Sequence, residues 1–153
     1  MATKKRVKRS PARARPRPRR TPRQQPESFR ARSVATGLTV NDLQRSIAWY
    51  RDVLGFTVKD RWEDGGKMVG VELAAGSASV MLSQDDFAKG RDRKKGQGMR
   101  LWLNTVQDID ALAMQIKGRG GVLDQEPRDM PWGARVFTIS DPDGFKFNVV
   151  QEH

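Results

Sequence analysis

The sequence predicts an α+β protein built from two βαβββ units, preceded by a disordered basic tail. Three observations lead there. The order strand, helix, strand, strand, strand is written twice between residues 33 and 152. Each helix opens at an aspartate, Asp108 in the second and Asp42 or its neighbour Asn41 in the first, and each closes on glycine. The charge is segregated: residues 1–32 hold 13 of the 29 Lys+Arg and a single acid, Glu27, a net of +12, whereas residues 33–153 hold 16 basic and 17 acidic residues, a net of −1.

The tail comes first. Five of the eight prolines fall in it (Pro11, Pro16, Pro18, Pro22 and Pro26), and it has almost no apolar side chains to offset the cost of ordering. The alternation Arg15-Pro16-Arg17-Pro18-Arg19 favours an extended, polyproline-like chain. Arg13, Arg15, Arg17, Arg19 and Arg20 are its candidate contacts to nucleic acid or another polyanion, made to phosphates rather than bases. A solubilising extension is the competing reading of the same charge. The basic start is not followed by the apolar run of a secretory signal, and it lacks the amphipathic period of an organelle transit peptide. No later stretch approaches the ~20 apolar residues of a membrane span, so a cytoplasmic protein with no membrane partner is expected.

Unit one is expected over about residues 33–83. Its first strand, Ser33–Val40, ends with Leu38 and Val40 on one face and Gly37 and Thr39 on the other. Leu43, Ile47, Tyr50 and Leu54 recur at helical spacing, and Gly55 sits where a left-handed cap belongs. Trp49 falls off that stripe and reads as surface or interface. Strands follow at Phe56–Trp62, at Met68–Leu73 after the turn Asp64-Gly65-Gly66, and at Ser79–Ser83. Residues 84–98 read as a connection, and Arg91–Lys95 within it as a solvated loop.

Unit two is expected over about residues 99–152. Arg100–Thr105 alternates, with Leu101 and Leu103 on one face and Arg100, Trp102 and Asn104 on the other. Ile109, Leu112, Ala113 and Ile116 form the apolar face of the second helix, which Gly118, Gly120 and Gly121 end. Short runs follow at Gly121–Leu123, Arg135–Ile139 and Phe145–Val150. The last two are separated by the turn Asp141-Pro142-Asp143-Gly144, which accounts for both aspartates without a catalytic role. Aligning Asp42 with Asp108 brings Leu43 onto Ile109, Tyr50 onto Ile116 and Gly55 onto Gly121, an internal repeat that is consistent across elements.

Several chemistries are excluded by composition. The absence of Cys removes disulfides, thiolate zinc sites and a Cys nucleophile. His153 is the one histidine, so neither a multi-His metal centre nor a Ser-His-Asp triad can be assembled within one chain.

The residues Leu38-Thr39-Val40-Asn41-Asp42-Leu43, Ser46, Trp49-Tyr50 and Leu54-Gly55-Phe56 resemble the first unit of the vicinal-oxygen-chelate superfamily of glyoxalases, extradiol dioxygenases and bleomycin-resistance proteins. The resemblance continues through Asp108-Ile109-Asp110-Ala111-Leu112, Pro131-Trp132-Gly133, Phe137 and Asp141–Gly144. It implies paired βαβββ units whose curved sheets enclose a cavity, often completed by a second chain. It also implies four metal-ligand positions, which fall here on Ala35, Met81, Arg100 and Asn148. Methyl, thioether and guanidinium groups are poor company for a divalent cation, so no metal and no other cofactor is expected. In place of metal ligands the cavity would offer Arg100, Trp102, Lys146 and Asn148 from the strands, with Trp132 at a strand entrance and Trp62 at a strand end. A planar ligand would stack on an indole while Arg100 pairs its acidic or carbonyl group. The leading expectation is a homodimeric small-molecule-binding protein that sequesters its ligand. The alternatives are a metal-independent lyase- or isomerase-like enzyme with Arg100 or Lys146 as electrophilic stabiliser, and a ligand sensor held on nucleic acid by its tail.

Overall fold

The computed structural model describes residues 33–152. The tail, with Arg13, Arg15, Arg17, Arg19 and Arg20 and the disorder expected there, lies outside the described residues, as does His153.

The described chain runs β1 (Thr36–Val40), α1 (Leu43–Ala48), β2 (Thr57–Asp64), β3 (Lys67–Ala75), β4 (Ala78–Gln84), β5 (Arg100–Thr105), α2 (Ile109–Gly118), β6 (Leu123–Asp129), β7 (Arg135–Ser140) and β8 (Lys146–Gln151). Two four-stranded sheets form with one topology, β1-β4-β3-β2 and β5-β8-β7-β6. In each, the first strand pairs parallel with the last and the others are antiparallel. A parallel partner needs a crossover, and the helix after each first strand begins it. These are the two βαβββ units that the sequence predicts.

The caps explain where the helices start. The Asp42 side chain accepts from the Arg45 N–H, and the Asp108 side chain from the Ala111 N–H. The hairpin between β2 and β3 turns through Gly65 and Gly66, both at positive φ (55° and 77°), as a tight two-residue turn requires.

Most of the buried apolar residues form one cluster drawn from both units, with Val136 and Val150 outside it. Leu38, Val40, Val71, Leu73, Val80 and Leu82 line the first sheet's inner face, and Phe137, Ile139, Phe147 and Val149 the second's. Tyr50, fully buried, lies edge-on to Phe56 at 5.8 Å and to Phe147 of the other unit at 5.9 Å. Its hydroxyl donates to Asp141 Oδ2 at 2.9 Å. Asp141 also accepts the N–H groups of Asp143 and Phe145 (2.9 and 2.8 Å), and Asp143 accepts from the Asn41 N–H at 3.1 Å and from Ser46 Oγ at 3.4 Å. The two aspartates therefore shape their turn, as expected, and also tie it to the helix of unit one.

Four local expectations are corrected. Helix α1 continues as a π-helical turn over Trp49–Val53, with Leu54 N–H bonding to Trp49 O. The wider turn brings neighbouring residues inward together, so Trp49 is half-buried, packed against the edge of the core and on Tyr50 (5.0 Å). The strand expected at Gly121–Leu123 starts at Leu123, because the Gly121 N–H is used to close α2 on Ile116 O. It then extends to Asp129 as a polar edge strand, with its register broken between Gln125 and Arg128, around Pro127, which has no N–H to donate. The segment Arg91–Lys95 is not simply solvated: Asp85 is buried at the end of β4, and Lys95 Nζ (2.5 Å) and Arg93 Nη2 (3.2 Å) both pair with it. The Lys95 side chain is only 3% exposed. Its bond, with that of the Phe87 N–H, holds the Asp85 carboxyl below the usual range.

Candidate functional site

Strand alternation decides what each sheet shows on the side away from its core. On β5, Leu101 and Leu103 pack toward the core and Arg100, Trp102 and Asn104 are exposed. The register with β8 sets Arg100 beside Lys146 and Trp102 beside Asn148. The register with β7 carries the two rows on to Ser140 and Thr138. Four of the six residues expected at the site, Arg100, Trp102, Lys146 and Asn148, thus share one face of the second sheet.

Arg100 and Lys146 line two adjoining cavities. One, of about 340 Å³, opens over the sheet and adds Gln125, Thr138, Asp124 and Arg128. The other, of about 920 Å³, runs along residues 94–99 and the Asp143-Gly144 turn, adding Lys94, Lys95 and Asp143. The connection reaches that turn because residue 96 is glycine: a Cβ there would collide with the Gly144 carbonyl.

The electrostatics of this face are unbalanced. Among the described residues, the side chains of Arg100, Arg128 and Lys146 make no ion pair and no hydrogen bond. The one carboxylate lining the smaller cavity, Asp124, accepts the Ser140 hydroxyl at 2.6 Å. Asn148 is 6% exposed, and its buried Oδ1 has no partner. Trp102 beside it is 53% exposed.

The remaining two expected residues lie elsewhere. Trp62 is on β2 of the first sheet, 37% exposed, with its ring over Gly70; a Cβ on Gly70 would come within 2.7 Å of the ring. Trp132 is in the loop between β6 and β7 and is 59% exposed. Sequence reasoning did not single out Arg128. Its strand has no apolar alternation to mark it, and only the tertiary pairing of β6 brings it to the cavity.

The four positions implied as metal ligands are also placed. Ala35 lies just before β1 and is exposed, and Met81 pairs with Gly37. Arg100 and Asn148 lie on neighbouring strands, two positions apart in register. A methyl, a thioether, a guanidinium and one amide do not fit a divalent metal ion, and among the described residues no group of three Asp, Glu, His or Cys side chains could hold one.

Comparison with known proteins agrees with the scaffold. Residues 32–149 match the family model of the Glyoxalase/Bleomycin resistance protein/Dioxygenase superfamily. A "probable lactoylglutathione lyase" of Synechocystis sp. is 30% identical over 122 residues, covering 76% of this chain and 92% of that protein. A lactoylglutathione lyase of Arabidopsis thaliana is 26% identical over 118 residues, or 73% of this chain, which spans only 41% of that longer protein. A crystal structure of a superfamily member from Sphaerobacter thermophilus is similar with a TM-score of 0.61 and 28% identity, over 78% of this chain and 98% of that one. With the strand order repeated in both units and a family match across nearly all of the described residues, this chain belongs to the glyoxalase/bleomycin resistance protein/dioxygenase superfamily.

Proposed function

We propose that the domain binds a small planar or acidic ligand on the exposed face of β5–β8, without a metal ion. One juxtaposition supports this most: the exposed Trp102, paired in register with Asn148, occupies the row next to Arg100 and Lys146, two cations with no ion pair among the described residues. The indole offers a stacking surface, Arg100 a forked donor pair and Lys146 a point charge. Trp62 and Trp132 leave further aromatic surface exposed. A homodimer in which a second copy covers part of that surface is included in this reading.

The test is ligand binding by chelator-treated protein. The expected result is retained binding, no turnover, and no stoichiometric divalent metal by elemental analysis. A metal present at about one per chain, whose removal abolishes binding, overturns the metal-free reading, because it would show a ligand set these residues do not provide. The names of the two relatives favour a second reading, a metal-independent enzyme in which Arg100 or Lys146 stabilises developing negative charge. Turnover that survives chelation selects it.

The tail supports a separate role. A net +12 within residues 1–32, beside a body at −1, suits salt-sensitive contact with nucleic acid or another polyanion. If six to eight cations meet phosphates, log affinity for duplex DNA should fall with log salt at a slope of about −5 to −7. The measurement is a titration of the full chain and of residues 33–153 at two salt concentrations. Equal weak binding by both removes the tail's role.

A further inference from the structure

Some cations placed on the folded elements have an anion, and others, such as Arg45, Arg61 and Lys67, have none among the described residues. Lys59 pairs with Glu72 at 3.1 Å and Lys117 with Glu126 at 2.8 Å, while Arg135 pairs with Asp110 at 2.7 Å and Asp129 at 3.0 Å. Arg100, Arg128 and Lys146 also have none among the described residues, and they come from three different strands to line the same cavity of about 340 Å³. With the one carboxylate of Asp124, the four charged side chains of that cavity sum to +2. Like charges gathered in this way repel, and their repulsion is relieved when an anion enters among them.

We propose that this cavity is a dianion site, which takes a phosphate monoester or a dicarboxylate whose planar body lies over Trp102. The inference rests on the reading of this face as the ligand face, and it adds the charge of the ligand and the part played by Arg128. Two guanidinium forks suit the paired oxygens of phosphoryl or carboxylate groups. Thr138 and Gln125, on the same cavity wall, supply neutral polar groups. Trp102 occupies the next row along β5 from Arg100, so a dianion held by the cations places an attached ring within reach of the indole. Arg100 and Lys146 also border the larger cavity along residues 94–99, so the ligand has room to extend past the anion.

The test uses the full chain with phenyl phosphate, terephthalate and benzoate, followed through backbone amide shifts of β5 and β8. The variants are Arg128→Gln, Arg100→Gln and, as a control of equal charge change, Arg45→Gln on the exposed side of α1. All carry the same tail, so the differences between them report the cavity. A dianion should bind at least about tenfold more tightly than benzoate, and Arg128→Gln should lower dianion affinity by about tenfold, the scale of one hydrogen bond to a charged group. Arg45→Gln should leave it unchanged. If phenyl phosphate is the preferred probe, its affinity rises as pH passes about 6, where the phosphoryl group gains its second charge, whereas terephthalate leads if the natural group is a dicarboxylate. Equal binding of benzoate and the dianions on β5 and β8 overturns the dianion assignment and leaves the ligand face standing. Equal losses in Arg128→Gln and Arg45→Gln overturn it too, because general attraction would then explain the binding. If no probe shifts β5 or β8, both the assignment and the ligand-face reading fall.

Discussion

The two βαβββ units have the same strand order but gather different side chains on their outward faces. On unit one the cation Lys59 is paired with Glu72, and Trp62 covers a glycine in the neighbouring strand. On unit two Arg100, Arg128 and Lys146 have no ion pair and the amide oxygen of Asn148 is buried without a donor among the described residues, and Trp102 is exposed. Among the described residues, unpaired cations occur on both units, with Arg61 on β2 and Lys67 on β3 of the first, but on the second three of them line one cavity. The difference arises on strand positions that the core does not constrain. The inward faces of both sheets must be apolar, whereas exposed outward side chains such as Arg100, Trp102 and Lys146 can change with little effect on the packing.

The strongest way to break the comparison is to remove what the units share. Tyr50→Ala should cost about 3–5 kcal/mol, the usual range for deleting a large buried aromatic. The ring touches Phe56 of its own unit and Phe147 of the other, so urea denaturation followed by tryptophan fluorescence and by circular dichroism should show one transition at a lower midpoint. Two separated transitions would mean that the units fold independently.

A smaller effect sharpens the contrast between the faces. Trp102→Ala should weaken ligand binding by about 1–3 kcal/mol, the scale of a stacked aromatic at a site's centre. Trp62→Ala on unit one should weaken it less, because that ring lies over Gly70 of its own sheet. Titration of both variants with the same ligand decides it. A larger loss in Trp62→Ala would move the site to the first sheet or to a surface that a second copy completes.

The smallest effect concerns the link between the units. Burial raises the Asp141 carboxyl above its ordinary value of 3.8, against the opposing pull of its three donors. A raised acid holds its proton more tightly folded than unfolded, so its contribution to stability falls as pH climbs from about 3.8 through the raised value, and is level above it. Asp85 and Asp110 are lowered and act in the opposite sense, but equally in wild type and variant. The stability of wild type relative to Asp141→Asn should therefore decline over that pH window. A difference that stays flat from acid to neutral pH would show that burial does not control this group.

Much of the molecule was legible before any coordinates. Asp42, Asp108 and Gly55 mark the helix ends, Gly65-Gly66 the hairpin, and the alternation in Arg100–Thr105 the face that carries Arg100 and Trp102. These are local signals: a cap needs an acceptor three residues from its N–H, and a strand turns its side chains by a period of two. The expected positions of Lys146 and Asn148 on that face follow from the same alternation in the last strand.

What the local pattern did not hold is whatever depends on two distant segments at once. The π-helical turn brings Trp49 inward because Tyr50 and the core accept it there. Asp141 meets Tyr50 across 91 residues, and Asp85 buries Lys95 out of a segment that reads as solvated charge. Arg128 belongs to a strand without apolar alternation, so only the pairing of β6 with β7 sets it over the cavity with Arg100 and Lys146. Side-chain periodicity determined which way each residue of a strand points. The tertiary structure alone decided which residues point at each other, because register and reach across a sheet are set by the packing of the whole core.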